Sequence, residues 1–240
     1  SGSTLSGAAS EKGDQIQVDC TPDDGDDTGL TVTSSSTTIG NTPPEAPVIS
    51  LDPQSPSTAE IVTATIITES FDADNDSVTY SYEWTKSGST TVHAGASLGS
   101  SLTETNDVWT VTVTPNDGIS DGLVAEASVI IGNSAPSISS CDVTPITPTT
   151  GDSLSASASG WYDADGDEEL VEFEWFSYDG ANWIRLGSGA SLDASFTASG
   201  LEIKATCSPY NQAGSGTSYG SSLDSATIVI GNTEPSLTGC

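Results

Sequence analysis

Asp72, Asp74 and Asp76 alternate within Phe71-Asp72-Ala73-Asp74-Asn75-Asp76, and Asp163, Asp165 and Asp167 alternate within Tyr162-Asp163-Ala164-Asp165-Gly166-Asp167. Three carboxylates in so short a loop repel one another unless a cation lies among them. Hard, anionic oxygen donors of this kind suit Ca²⁺. The plain alternative is a solvated acidic loop, because the chain is acidic throughout: 34 Asp and Glu against 4 Lys and Arg, a formal net charge of -30.

An EF-hand register would recruit Glu83 and Glu174. It is rejected, because both residues follow the loops on strand-like segments and lie on the outer face, roughly 20 Å away at ~3.3 Å per residue. The glycine that the EF-hand turn requires is also replaced, by Ser77 and Glu168.

Other chemistry is thinly represented. Gly95-Ala96-Ser97-Leu98-Gly99 and Gly216-Thr217-Ser218-Tyr219-Gly220 match the hydrolase nucleophile pattern. That elbow needs a following helix and a histidine serving the serine, and His93 is the chain's one histidine. Asp27-Thr28-Gly29 resembles an aspartic-protease triplet but sits in an acidic loop, and Asn75-Asp76-Ser77 is a glycosylation sequon inside the proposed metal loop. No catalytic residue is assigned; the chain is read as a non-enzyme.

Its polyanionic charge disfavours nucleic acid and anionic lipid surfaces as partners. No apolar run approaches the ~18 residues of a membrane helix, so no membrane insertion is expected. The sequence lacks Met and a signal-like start, which fits a processed or excised piece of a longer protein.

What positions the acidic loops is a repeat. Ile39-Gly40-Asn41, Ile131-Gly132-Asn133 and Ile230-Gly231-Asn232 recur at an interval of roughly 95 residues, each with a proline (Pro43, Pro136, Pro235) soon after. Leu5, Leu98 and Leu192 stand at one fixed offset before Cys20, Val113 and Cys207. The segments ending there, Gln15–Cys20, Trp109–Val113 and Glu202–Cys207, alternate apolar and polar residues with the period of a half-buried strand.

In the two complete repeats the acidic loop leads into Val78–Trp84 or Val171–Trp175, strands whose Trp84 and Trp175 are read as core anchors. No segment carries a helical apolar period. The fold expected is all-β: tandem Ig-like antiparallel β-sandwiches of about seven strands each, joined by short Pro-containing linkers into a rod. Residues 1–41 read as the C-terminal half of a repeat, 42–133 and 134–232 as complete repeats, and 233–240 as the start of another.

The cysteines follow this register. Cys141 and Cys240 occupy one repeat position, Cys20 and Cys207 another, and the middle repeat carries Leu51 and Val113 there. The natural pair is Cys141 with Cys207, joining the first strand to the sixth, with Cys20 and Cys240 pairing beyond the segment. Reduced thiols, or links between chains through Cys20 and Cys240, remain as alternatives. A disulfide implies an oxidising, extracellular compartment.

If the acidic loops join second to third strands, they lie at the same end as the loop after the sixth strand and as the incoming linker. The expected Ca²⁺ ligands are then Asp72, Asp74, Asp76, Asp117 and Asn41 in the middle repeat, and Asp163, Asp165, Asp167, Asn133 and Asn211 in the next. Asp24 matches Asp117 in the half-repeat. A metal there would tie linker to domain.

The Asp-x-Asp-x-Asp loop before a strand ending in Trp, followed later by Thr114-Pro115-Asn116-Asp117-Gly118, resembles the Ig-like, PKD-type and cadherin-like tandem repeats of large prokaryotic cell-surface or secreted proteins. The third repeat departs from it, with Ser208-Pro209-Tyr210-Asn211-Gln212 in place of the later motif. The resemblance implies a calcium-stabilised stalk, fibre or adhesin shaft, whose partners are neighbouring repeats of the same chain and further copies or surface glycans. Two alternatives are a carbohydrate- or ligand-binding module, with Trp161, Trp183 and Tyr178 as ligand-facing aromatics, and a self-assembling filament or sheath subunit. The other reading of those aromatics is extra core or joint packing.

Overall fold

The computed structural model describes residues 4–7, 10–89, 92–213 and 216–235. Its residues fall into two compact units. One holds the described residues up to Pro56 together with Ile61–Gly99 and Asp107–Ile130. The other holds Ser57–Glu60, Ser100–Asn106 and the described residues from Ile131 onward.

Four short strands open the chain: β1 (Gln15–Ile16), β2 (Asp19–Cys20), β3 (Val32–Thr33) and β4 (Thr37–Thr38). They form one antiparallel hairpin, β1 on β4 and β2 on β3. Its apolar residues Leu30 and Val32 stay 90% and 69% exposed.

The middle sandwich has seven strands: β5 (Val48–Asp52), β6 (Val62–Thr68), β7 (Thr79–Lys86), β8 (Val92–Ala94), β9 (Ser97–Leu98), β10 (Val108–Asn116) and β11 (Ala125–Ile130). The first, second and fifth form one sheet, β5-β6-β9, and the others form β8-β7-β10-β11. Every pairing is antiparallel. β10 shows why this sequence makes a strand. Trp109, Val111 and Val113 are buried on one face, while Thr110 and Thr112 on the other meet Ser128 and Glu126 of β11. β-branched residues fit both faces of that pleat.

The second unit repeats the plan. β12 (Ser140–Thr144), β13 (Leu154–Ser159) and β16 (Ser191–Leu192) form one sheet; β14 (Leu170–Tyr178), β15 (Trp183–Ser188) and β17 (Glu202–Ala213) belong to the other. Its seventh strand is broken into β18 (Gly216–Tyr219), β19 (Leu223–Asp224) and β20 (Ile228–Val229), each antiparallel to β17. The fold is thus all-β and Ig-like, with two seven-stranded sandwiches.

Leu154, Ala156 and Leu192 from one sheet pack with Trp175, Ile203 and Ala205 from the other. Trp175 and Trp84 are both fully buried, and each indole N–H donates to a backbone carbonyl at 2.9 Å, Gly189 and Gly95 respectively. Burying the ring is worthwhile only because its one polar atom is satisfied. Cys141 of β12 and Cys207 of β17 form a disulfide between the two sheets. Leu51 and Val113, at the same register in the middle sandwich, are buried. Cys20 is an exposed free thiol, and Cys240 lies outside the described residues.

Candidate functional site

Each acidic loop connects the second strand of its sandwich to the third, β6 to β7 and β13 to β14. The first aspartate of each loop shapes it. Asp72 Oδ1 accepts the N–H groups of Asp74 and Asp76 at 2.9 and 3.1 Å, and Asp163 Oδ1 those of Asp165 and Asp167 at 2.8 and 3.5 Å. The fourth loop residue turns left-handed, Asn75 at φ 59° and Gly166 at φ 74°. Asn and Gly are the residues that tolerate this, which accounts for the asparagine of the sequon.

In the first unit the connection enters beside this loop. Thr42 N–H donates to Asp74 Oδ2 at 2.6 Å, and Asn41 Nδ2 donates to Asp117 Oδ2 at 2.7 Å. Asp117 lies in the loop between β10 and β11 and also accepts the N–H groups of Ile119 and Ser120. These bonds, Asn41 foremost, bring its pKa down to about 2. A glycine seats the incoming chain: a Cβ on Gly122 would lie 2.2 Å from the Pro44 carbonyl oxygen.

Carboxylate oxygens of Asp72, Asp76 and Asp117 fall within 4.8 Å of one another. Asp74 stands outside that group, and its Oδ2 accepts the Thr42 N–H. Asp72 is only 6% exposed, and its Oδ2 is a buried oxygen without a hydrogen-bond donor. Lys12, which the sequence pattern did not single out, ion-pairs with Asp76 and donates to Asn41 Oδ1 at 3.2 Å.

The second unit reproduces the arrangement from other residues. Ser134 N–H donates to Asp165 Oδ2 at 2.7 Å, in the place of Thr42 on Asp74. Asn211 of β17 replaces Asp117. It is fully buried, donates to Asp163 Oδ2 at 2.8 Å and to the Ser134 carbonyl at 2.9 Å, and accepts from Asn133 Nδ2 at 3.1 Å. Gly220 has Pro136 against it as Gly122 has Pro44, with a Cβ 1.7 Å from the carbonyl oxygen.

Oxygens of Asp163, Asp165 and Asp167 lie within 4.8 Å of one another. Thr105 Oγ1 donates to Asp165 Oδ1 at 2.6 Å. Asp167 Oδ2 and Asn133 Oδ1 are buried and have no donor. Burial first, and then the Asp163 and Asp165 charges, push the Asp167 carboxyl above the usual range, against the opposing pull of the Asn133 side-chain amide. A cavity of about 480 Å³ opens here, lined by Thr105, Asn133, Asp165, Asp167 and Gln212 among others. A buried carboxylate oxygen and a buried amide oxygen without donors are costly unless a cation completes them, so the donor set fits a hard divalent ion.

The remaining sequence candidates fall elsewhere. Trp161 is half-buried against the second unit's core. Tyr178 and Trp183 form a cross-strand pair, with centroids 5.4 Å apart and rings tilted by 44°, and the Lys204 ammonium lies 4.8 Å from the Trp183 ring. Glu83 is exposed, and Glu174 pairs with Arg185 at 2.7 Å. His93 Nε2 meets the backbone carbonyl of Ser97 at 3.1 Å, not its hydroxyl, and β9 is followed by a 3₁₀ turn. The second serine motif runs along β18, and Asp27–Gly29 belongs to the hairpin loop. Among the described residues, no helix is long and apolar enough to cross a membrane.

No family model and no curated protein matches the chain. Solved structures similar to it include the FN1–FN3 domains of chicken CNTN1 (13% identity, TM-score 0.33, covering 85% of this chain and 74% of that one). Three N-terminal domains of the bacteriophage RB49 highly immunogenic outer capsid protein (Hoc) are similar at 17% identity and TM-score 0.36, covering 85% and 75%. The fold assignment rests on the strand order given above.

Proposed function

We propose that this chain is a non-catalytic structural or adhesive repeat segment of an extracellular or cell-surface protein, a calcium-stiffened stalk, fibre or adhesin shaft of the PKD-type or cadherin-like kind. The observation that carries the reading is the pair of donor-less buried oxygens, Asp167 Oδ2 and Asn133 Oδ1, beside Asp163 and Asp165. Ca²⁺ accepts six to eight oxygens, and water would complete the shell. The Cys141–Cys207 disulfide supports an oxidising compartment, and the charge of -30 supports a soluble surface that excludes polyanionic partners.

The function follows from placement. Asn133 and Ser134 lie on the connection that enters the sandwich, and Asp163, Asp165 and Asp167 on its loop. A cation shared by both would convert a connection held by single hydrogen bonds into one held by ionic ligation. At 100 times its dissociation constant, calcium would add about 2.7 kcal/mol to the stability of the folded form.

The test is a thermal unfolding scan in calcium and in chelator. The expected result is a midpoint several degrees higher in calcium, with the difference abolished by Asp163→Asn, Asp165→Asn and Asp167→Asn together. A midpoint that ignores calcium overturns the metal reading and leaves the loops as solvated surface. The carbohydrate-binding and filament readings have no comparable observation behind them.

A further inference from the structure

We infer that Lys12 is a tethered counter-ion that takes the place of calcium at the Asp72–Asp76–Asp117 cluster, so that the two acidic clusters of this chain are built for different cations. The inference rests on the calcium reading above for the Asp163 cluster only, and goes beyond it in assigning the first cluster a protein ammonium.

Lys12 and Thr105 are the same repeat position. Each follows its register leucine, Leu5 or Leu98, at one offset. The next residue in each case is left-handed, Gly13 at φ 92° and Asn106 at φ 70°. Its N–H closes on the isoleucine of the Ile-Gly-Asn motif, Gly13 on the Ile39 carbonyl at 2.9 Å and Asn106 on the Ile131 carbonyl at 2.8 Å. The third copy has Ser199 there, before Gly200, whose N–H meets the Ile230 carbonyl at 2.8 Å. The backbone therefore delivers this side chain to one place in each copy. Two copies present a hydroxyl and one presents an ammonium.

The consequences differ because the clusters differ in charge. The lysine copy's cluster contains Asp117, where the threonine copy's cluster has the neutral Asn211 on Asp163. An ammonium paired with Asp76 and bonded to Asn41, on residues already fixed by the fold, acts at high effective concentration. It is a cation that dilution and chelators cannot remove. Thr105 supplies one hydrogen and no charge, so the Asp163 cluster keeps its need for an external ion.

The donor-less Asp72 Oδ2, in a side chain 6% exposed, points to a ligand place that reopens when the lysine is shortened. The repulsion left by its removal is what a divalent ion would relieve.

The experiment is calorimetric titration of the whole chain, stripped with chelator, with Ca²⁺. One site is expected in the parent, two in Lys12→Thr, one in Lys12→Arg, and none in Thr105→Lys. Two sites in the parent, unchanged by Lys12→Thr, would show that metal displaces the lysine and would overturn the inference while leaving the calcium reading intact. No site in the parent and one in Lys12→Thr would sustain the inference and remove the calcium reading at Asp163. No binding by either protein overturns both.

Discussion

Asn211, fully buried in β17, donates its side-chain N–H to Asp163 Oδ2 at 2.8 Å. The same amide reaches the Ser134 carbonyl at 2.9 Å, so one neutral side chain fastens the acidic loop to the incoming connection. Asn211→Ala would leave buried acceptors without donors, at a cost of about 1–3 kcal/mol. The expected readout is a melting midpoint lower by several degrees in chelator, with weaker calcium binding. Asn211→Asp should separate charge from geometry. It adds a fourth carboxylate with no lysine opposite, so it is expected to destabilise in chelator and to raise calcium affinity. A variant that melts like the parent in both conditions would show that Asn211 does not hold the loop.

The disulfide offers a check on the same unit. Cys141 and Cys207 are separated by 66 residues, and closing a loop of that size in the unfolded chain is worth about 4 kcal/mol on the chain-entropy account. Reduction, or Cys141→Ala with Cys207→Ala, is expected to lower the melting midpoint of the second unit. The middle sandwich, with Leu51 and Val113 at that register, should keep its own. Unfolding followed with and without reductant reads this directly. Equal losses from both sandwiches would contradict it.

Much of the architecture was legible because the repeat is written in residue types that backbone geometry demands. Strand alternation around Trp109–Val113, the Trp anchors and the cysteine pair all follow from period and offset. So does the meeting of Asn41 with Asp117 and of Asn133 with Asn211, since a sandwich forces those loops to one end. Lys12 was not legible: a single lysine in an exposed loop carries no pattern, and only the fold reveals that the register leucine places it on the next acidic loop. The broken seventh strand was equally hidden, since the matching segment of the middle sandwich runs unbroken as β11. Asp74 looked equivalent to its neighbours, and its use on the Thr42 N–H depends on where the connection enters. The half-buried state of Trp161 and Trp183 likewise depends on neighbours such as Lys204.

The tryptophan anchors predict a graded response. Trp175 is fully buried and bonds to the Gly189 carbonyl at 2.9 Å. Trp175→Phe keeps most of the apolar contact and loses the hydrogen bond, which should cost about 1–3 kcal/mol including the stranded carbonyl. Trp175→Ala should cost about 3–5 kcal/mol and can unfold the unit at ambient temperature. Trp84→Phe in the middle sandwich is expected to match Trp175→Phe, since its bond to Gly95 has the same length. Denaturant titration gives both values. A Phe variant as stable as the parent would mean that the indole N–H contributes nothing.

Acid should weaken the second unit through carboxylates that hold turns together. Asp152 accepts the Thr149 N–H and hydroxyl at 2.7 and 2.8 Å, and these bonds keep it below the usual carboxylate range. Asp179 is lowered by the Asn182 and Ala181 N–H groups, Asp193 by that of Ser195, and Asp224 by Lys204 and then Thr206. In each case the folded form holds its proton less tightly than the unfolded chain, whose aspartates titrate near about 3.9. The stabilisation is therefore complete above that value and is lost as pH falls through the lower folded values. The expected outcome, in chelator, is a steady fall of the melting midpoint below about pH 4, while Asp167, whose carboxyl stands above the usual range, works the opposite way and favours the folded form as it takes up its proton above that window. Asp152→Asn removes one such proton and should make the acid limb shallower while lowering the midpoint near neutrality. If Asp152→Asn instead leaves the acid limb unchanged, its turn bonds do not persist in solution.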